Sequence, residues 1–149
     1  MKILVLHGVN LNMLGRRDPK FYGSVTLDTI NKTLLSLAQE LHIELEHFQT
    51  NFEGAMVERI QHVLDENIAA IVINAAAWTH TSLAIHDALE LLKIPVVEVH
   101  LSNIYARENF RQHSLLASVV HGTIAGFGLE SYTLGLRAAY SLTQQEANK

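Results

Sequence analysis

The chain has 149 residues and no cysteine. That excludes disulfides, a thiolate nucleophile and a cysteine-ligated metal, and it suits a cytoplasmic address. Charge is sparse as well. Charged residues make up 17 % against an average near about 25 %, while hydrophobic residues reach 48 %. A chain this short with so few charges carries more apolar surface than one small sphere hides, which predicts a homo-oligomer. The net charge of −4 argues against nucleic acid as a partner, because such domains present a basic patch. No apolar segment approaches the length of a membrane span. The opening MKILVLHG is too short for the apolar region of a signal peptide and leads straight into a strand-like run. Linkers rich in Gly, Ser or Pro, low-complexity tracts and internal repeats are all missing. One domain over residues 1–149, with a real core, is the expectation.

Several chemical signatures are missing too. No GxxxxGK[ST] is present, so a P-loop is excluded, and Gly126 and Gly128 lack the third glycine of a dinucleotide fingerprint. Nine histidines invite a metal, but none forms an HxH or HxxxH pair, and His80 and His86 are six apart on a loop–helix junction. No metal site is expected. His42, His47, His62, His113 and His121 read as surface or packing residues. A Ser-His-Asp triad lacks its GxSxG elbow.

Residues 94–103, IPVVEVHLSN, are the most informative stretch present. Pro95 is tolerable at a strand start. Val96, Val97, Val99 and Leu101 form the apolar run of a strand covered on both faces. Glu98, His100 and Ser102 are set into it at spacing two, so a strand points all three to one face near its carboxyl end. A solvated edge strand is the plainer alternative, but the intervening residues are too apolar for an edge. Arg107 and Arg111 follow, and with Arg16 and Arg17 they form two pairs of anion handles.

The remaining elements follow from periodicity. Residues 2–7 (KILVLH) form a central strand. Residues 8–23 (GVNLNMLGRRDPKFYG) are a long irregular stretch, and loops of that length are usually functional. Thr26 caps an amphipathic helix carrying Leu27, Ile30, Leu34, Leu37, Ala38 and Leu41. Residues 43–49 (IELEHFQ) alternate as an edge strand. TNFEG turns into a second helix with a buried stripe of Met56, Val57, Ile60, Val63 and Leu64. Residues 68–74 (IAAIVIN) are a third, fully apolar strand. Its end on Asn74, not Asp, argues against a phospho-acceptor receiver. Thr81 or Ser82 caps a helix over residues 83–92, whose pairs Ala84/Ile85, Ala88/Leu89 and Leu91/Leu92 face inward. After the strand described above, residues 103–113 are expected as a short helix, residues 119–125 as a last edge strand, and residues 129 to about 144 as a closing helix. Such alternation implies an α/β three-layer sandwich, a five-stranded parallel sheet of flavodoxin-like order 2-1-3-4-5. The loops after strands one, three and four then converge, bringing together residues 10–22, 74–80 and 100–111.

A chemistry is implied by that convergence. Tyr22 lies in a flexible loop beside Arg16 and Arg17. A phenol is a poor base at its free pKa of about 10, but a nearby guanidinium favours phenolate, and a drop of three units represents roughly 4 kcal/mol. His100 is a candidate general acid, with Glu98 to orient it or a water. Arg111, Asn74, His80 and the backbone N–H groups near Leu101 and Ser102 are candidate holders of carboxylate and hydroxyls. With Asn10 or Asn12 as an oxyanion amide, the set describes proton abstraction beside a carbonyl and loss of a leaving group, with no cofactor. Rival classes are a flavin-binding or receiver-like module, disfavoured by the missing phosphate loop and phospho-acceptor, and an inactive structural homologue.

HGVNLNMLGRRDPKFYG resembles the N-terminal GPNLNLLGxRxPxxYG signature of type II 3-dehydroquinate dehydratases. FQTNFEG, NAAAWTHTSLAIHDAL and IPVVEVHLSNIYARENFRQHS are similar to that family's other blocks, in the same order and spacing, over nearly the whole chain. The resemblance implies a flavodoxin-like single catalytic domain assembled as a dodecamer of trimers. The implied reaction is conversion of 3-dehydroquinate to 3-dehydroshikimate and water, in the shikimate pathway or in quinate catabolism. It implies that Tyr22 removes the proton next to the ketone, that Arg17 lowers its pKa, and that Asn10 holds a water against the enolate oxygen. His100, backed by Glu98, would protonate the departing hydroxyl. Asn74, His80, Leu101, Ser102 and Arg111 would hold the substrate, and Asp87 would reach in from a neighbouring subunit. Val9, Phe52 and Ala75-Ala76 depart from the family pattern, which has proline, commonly a polar residue, and Pro-Gly there; loop stiffness and substrate affinity are the properties they touch.

Overall fold

The computed structural model describes residues 1–16, 20 and 24–147. Five parallel strands, β1 (Lys2–His7), β2 (Glu44–Gln49), β3 (Ala70–Asn74), β4 (Val96–His100) and β5 (Gly122–Ala125), form one sheet in the order β2-β1-β3-β4-β5. The helices are α1 (Leu27–Glu40), α2 (Glu53–His62), α3 (Leu83–Glu90) and α4 (Leu129–Ala147). This is the expected flavodoxin-like architecture.

Alternation along the central strands divides the core in two. Ile3, Val5, Val72, Val97 and Val99 face α1 and α4, packing with Ile30, Leu34, Tyr132 and Leu136. Leu4, Leu6, Ile71, Ile73 and Val96 face α2 and α3, packing with Met56, Ile60, Ile85 and Leu89. Strands buried on both faces must be apolar at consecutive positions, which is why β1, β3 and β4 stand out in the chain. β4 is central and every one of its residues is buried, so the edge alternative for it fails. Among described helices, Gly135 of α4 crosses close to the sheet: a Cβ there would lie 2.5 Å from Val99 Cγ1.

The helix caps follow expectation. Thr26 accepts from Thr29 N–H, and Ser82, of the two candidates, accepts from Ile85 N–H at 3.0 Å. Four expectations need correction. Leu64 is exposed, because α2 ends at His62 and a tighter 3-10 turn, Val63–Asp65, rotates it outward. Ala84 and Leu91 also face solvent. The buried stripe of α3 is Ile85, Ala88 and Leu89, with Leu92 partly buried beyond it, so Ala88/Leu89 faces inward as a pair while Ala84/Ile85 and Leu91/Leu92 each turn only one member to the core. Residues 103–113 make two 3-10 turns, Ile104–Ala106 and Asn109–Arg111, rather than one helix. Extended backbone at Arg107 separates them, and Asn103 spends its side chain on Tyr105 N–H. The last strand is shorter than expected, since Val119 and Val120 pack against the α2–α3 side of the core.

Candidate active site

The carboxyl ends of β1, β3 and β4 lie side by side, with His7 level with Asn74 and Ile73 level with Glu98. The loops that leave them enclose a cavity lined by Leu11, Asn74, Ala76, His80, His100, Leu101, Ser102, Ile104, Arg107 and Arg111. Seven residues singled out from the chain therefore line it together: Asn74, His80, His100, Leu101, Ser102, Arg107 and Arg111. Glu98 stands directly behind His100. Tyr22 and Arg17 lie outside the described residues. Asn10 and Asp87 do not line this cavity.

Glu98 and His100 project from the same face of β4, and their side chains meet, Nε2 to Oε1, at 3.0 Å. Glu98 is fully buried. Burial alone would push its carboxyl up, but His100, the Ser114 hydroxyl at 2.6 Å and the Thr123 hydroxyl at 3.0 Å outweigh that and hold it below the usual carboxylate range. An ionised Glu98 accepts the proton of Nε2, which leaves Nδ1 as the imidazole nitrogen free to exchange a proton with the cavity. A cation formed on that ring is stabilised by the carboxylate behind it. Ser114 and Thr123 escape inspection of the chain. Thr123 is the β5 residue in register with Glu98, and only the sheet pairing makes it a neighbour.

His80 donates Nδ1–H to the His113 carbonyl at 2.8 Å, so its Nε2 is the acceptor on the cavity side. Burial, with His100 and Arg111 nearby, keeps its pKa below the ordinary histidine value and the ring neutral. Arg111 rests its guanidinium 5.3 Å from the centre of the Phe110 ring and its Nε 3.1 Å from Glu108 Oε2, at an angle that leaves Nε without a hydrogen bond. Glu108 is itself held below the usual range by its own backbone N–H and by Arg107 and Arg111. A guanidinium braced by a ring and a carboxylate is a pre-formed fork for an anionic oxygen pair.

The first loop begins with Asn10 in the left-handed region, φ 66°, its N–H donating to Asn51 Oδ1 at 2.9 Å. Gln49 clasps the same amide and the Gly8 carbonyl. Neither Gln49 nor Asn51 was anticipated. Gly8 is required by contact: a Cβ would sit 2.3 Å from the Ala75 oxygen. Ala76 has φ 54°, a conformation that costs a non-glycine residue roughly 1 kcal/mol, and it stands where the resembled family has glycine. Phe52 caps α2 without a side-chain bond and is 76 % exposed. Asp87 sits on the exposed side of α3, bonded to His86 Nδ1 at 2.9 Å. Among the described residues no helix is long and apolar enough to cross a membrane.

Comparison with known proteins agrees with this geometry. Residues 1–140 match the family described as Dehydroquinase class II. The chain is 60 % identical over 136 residues to the 3-dehydroquinate dehydratase of Acaryochloris marina, covering 91 % of each. It is 56 % identical over 142 residues to that of Leptothrix cholodnii, covering 95 % of each. The crystal structure of the type II dehydroquinase from Butyrivibrio crossotus superposes with a TM-score of 0.92 at 39 % identity, covering 94 % of this chain and 97 % of that one. The chain belongs to the class II dehydroquinases.

Proposed function

We propose that this dehydroquinase reversibly removes water from 3-dehydroquinate to give 3-dehydroshikimate, with Tyr22 and His100 as base and acid. The phenolate of Tyr22, favoured by Arg17, takes the proton beside the ketone. The electron pair moves onto the ketone oxygen as an enolate, which Asn10 stabilises through a water. The enolate then collapses, the carbon–carbon double bond forms, and the hydroxyl on the far carbon leaves. Hydroxide is a poor leaving group, its conjugate acid having a pKa of about 15.7, so it departs with the proton of His100 Nδ1 as water. Glu98 keeps the imidazolium paired until that moment. Arg111 holds the substrate carboxylate, and Asn74, His80 and the Leu101–Ser102 backbone hold its hydroxyls. No cofactor enters the scheme.

The observation that carries this reading is the buried Glu98–His100 couple opening on a cavity that also holds an amide, a neutral imidazole and a braced guanidinium. Assembly as a dodecamer of trimers, with Asp87 crossing to a neighbour's cavity, and a cytoplasmic address complete the proposal. Both biosynthesis through shikimate and quinate breakdown consume the same reaction. The test is growth of the ultraviolet absorbance of the conjugated enone on adding 3-dehydroquinate, with and without chelator. Turnover unaffected by chelator, and abolished in a folded Tyr22→Phe variant, is expected. Substantial turnover by that variant would discard the assignment of the base.

A further inference from the structure

Directly behind Asn74, on the α1–α4 side of the sheet, lies a buried polar chain that the proposed mechanism does not use. His7, at the carboxyl end of β1, has no exposure. Its Nδ1 is 2.8 Å from the Tyr132 hydroxyl of α4 and its Nε2 is 2.9 Å from Asn31 Oδ1 of α1. Tyr132 is likewise fully buried, and Asn74, level with His7 on the neighbouring strand and turned to the same face, brings its side chain beside the same hydroxyl. Four groups from four elements are thus linked through the core, in surroundings where every unpaired polar atom is costly.

The proton positions follow from the acceptors. Asn31 Oδ1 can only accept, so Nε2 of His7 carries the proton. Nδ1 is then a lone pair, and Tyr132 donates its single O–H to it. With its proton spent, the Tyr132 oxygen can only accept from Asn74, and the donor is Nδ2, because Asn74 Oδ1 already accepts from Ala76 N–H at 3.1 Å. Both ends of the Asn74 amide are therefore specified. One Nδ2 hydrogen is turned inward to Tyr132, and the other is left for the cavity that Asn74 lines.

We propose that His7 and Tyr132 are positioning residues for the reaction: they set the orientation of the Asn74 amide, so that it presents a donor to a substrate oxygen. Without Tyr132 only the Ala76 N–H bond holds the amide, at its Oδ1 end, and one bond resists a turn about the last torsion less than two do. A carbonyl end facing a substrate hydroxyl or carboxylate oxygen loses the bond or repels it. This inference rests on the reading of Asn74 as a substrate-holding residue.

Tyr132→Phe removes one oxygen and keeps the buried ring. In that variant kcat/KM for 3-dehydroquinate falls about tenfold, mostly through KM, whereas in an Asn74→Ala background the same substitution changes it by less than about twofold. A role in packing alone gives equal losses in both backgrounds and overturns the proposal, as does an unchanged kcat/KM in folded Tyr132→Phe. His7→Asn retains an acceptor near the place of Nδ1 and keeps most of the activity, while His7→Leu behaves like Tyr132→Phe; equal losses in the two contradict the scheme. If Tyr132→Phe does not fold, nitrogen-15 NMR of the unmodified protein decides. His7 must be neutral with its proton on Nε2 from about pH 6 to 8, and a proton on Nδ1 overturns the chain of donors. Failure of the unmodified protein to turn over 3-dehydroquinate would instead contradict the functional reading, and the tautomer measurement would still test the network.

Discussion

Two buried titratable side chains, on strands separated by β3, settle in different charge states for different reasons. Glu98 is ionised because three donors surround it, and removing a carboxylate from water costs several kcal/mol unless such donors are present. His7 is neutral because burial outweighs the bond to Asn31, which brings its pKa down to about 4. The unfolded chain protonates this histidine near pH 6.5 and the folded protein does not, so stability falls as pH drops from 6.5 towards 4. That displacement corresponds to about 3 kcal/mol. His80, also held low by burial, contributes in the same direction. Glu98 acts in a lower window: its contribution is complete above the unfolded carboxylate pKa and is lost as pH falls through the depressed folded value. Denaturant unfolding measured between pH 7 and pH 4 should therefore show a decline that His7→Asn largely removes. A decline of equal slope in the variant would contradict this assignment. Glu98 and His100 were legible at spacing two on an apolar strand. His7 was not, since KILVLH reads as a strand whatever its last residue does, and its partners Asn31 and Tyr132 are 24 and 125 positions away.

The elements separate what a chain reveals from what it hides. β1, β3 and β4 were legible because burial on both faces forces unbroken apolar runs, and the order of the sheet followed from strand–helix alternation. The segment after β4 was misjudged because Asn103 and Gln112 hydrogen-bond to nearby backbone, dividing into two turns a stretch whose composition suits a helix. Gly135 was silent as well; a glycine in a helix interior looks like a defect until the sheet is seen against it. Alanine is the better helix former by about 1 kcal/mol, but a Cβ at 135 meets Val99 Cγ1 at 2.5 Å and Val72 Cγ1 at 3.3 Å. Both valines are buried in central strands and have no room to yield, so overpacking of about 1–3 kcal/mol wins. Gly135→Ala is expected to lower the denaturation midpoint with an unchanged m-value; a stabilised variant would mean that α4 shifts freely across the sheet.

At the scale of the molecule, Phe52, Leu83, Phe110 and Phe127 are each more than 60 % exposed, on a chain with few charges. Such apolar surface fits burial between copies of the chain. Sedimentation at micromolar concentration is expected to give an assembly whose mass is a multiple of three chains, and a clean monomer would refute it. If Asp87 completes a neighbour's site, Asp87→Ala lowers turnover while leaving the sedimentation unchanged; full activity in the intact assembly would remove Asp87 from the scheme. The proposed turnover depends on proton delivery from the imidazole at the rim of β4. The most direct measurement is kcat of His100→Ala on 3-dehydroquinate, with circular dichroism confirming the fold. Loss of a general acid predicts a fall of about 10²–10⁴-fold, and a rate within about tenfold of the unmodified protein would contradict the mechanism.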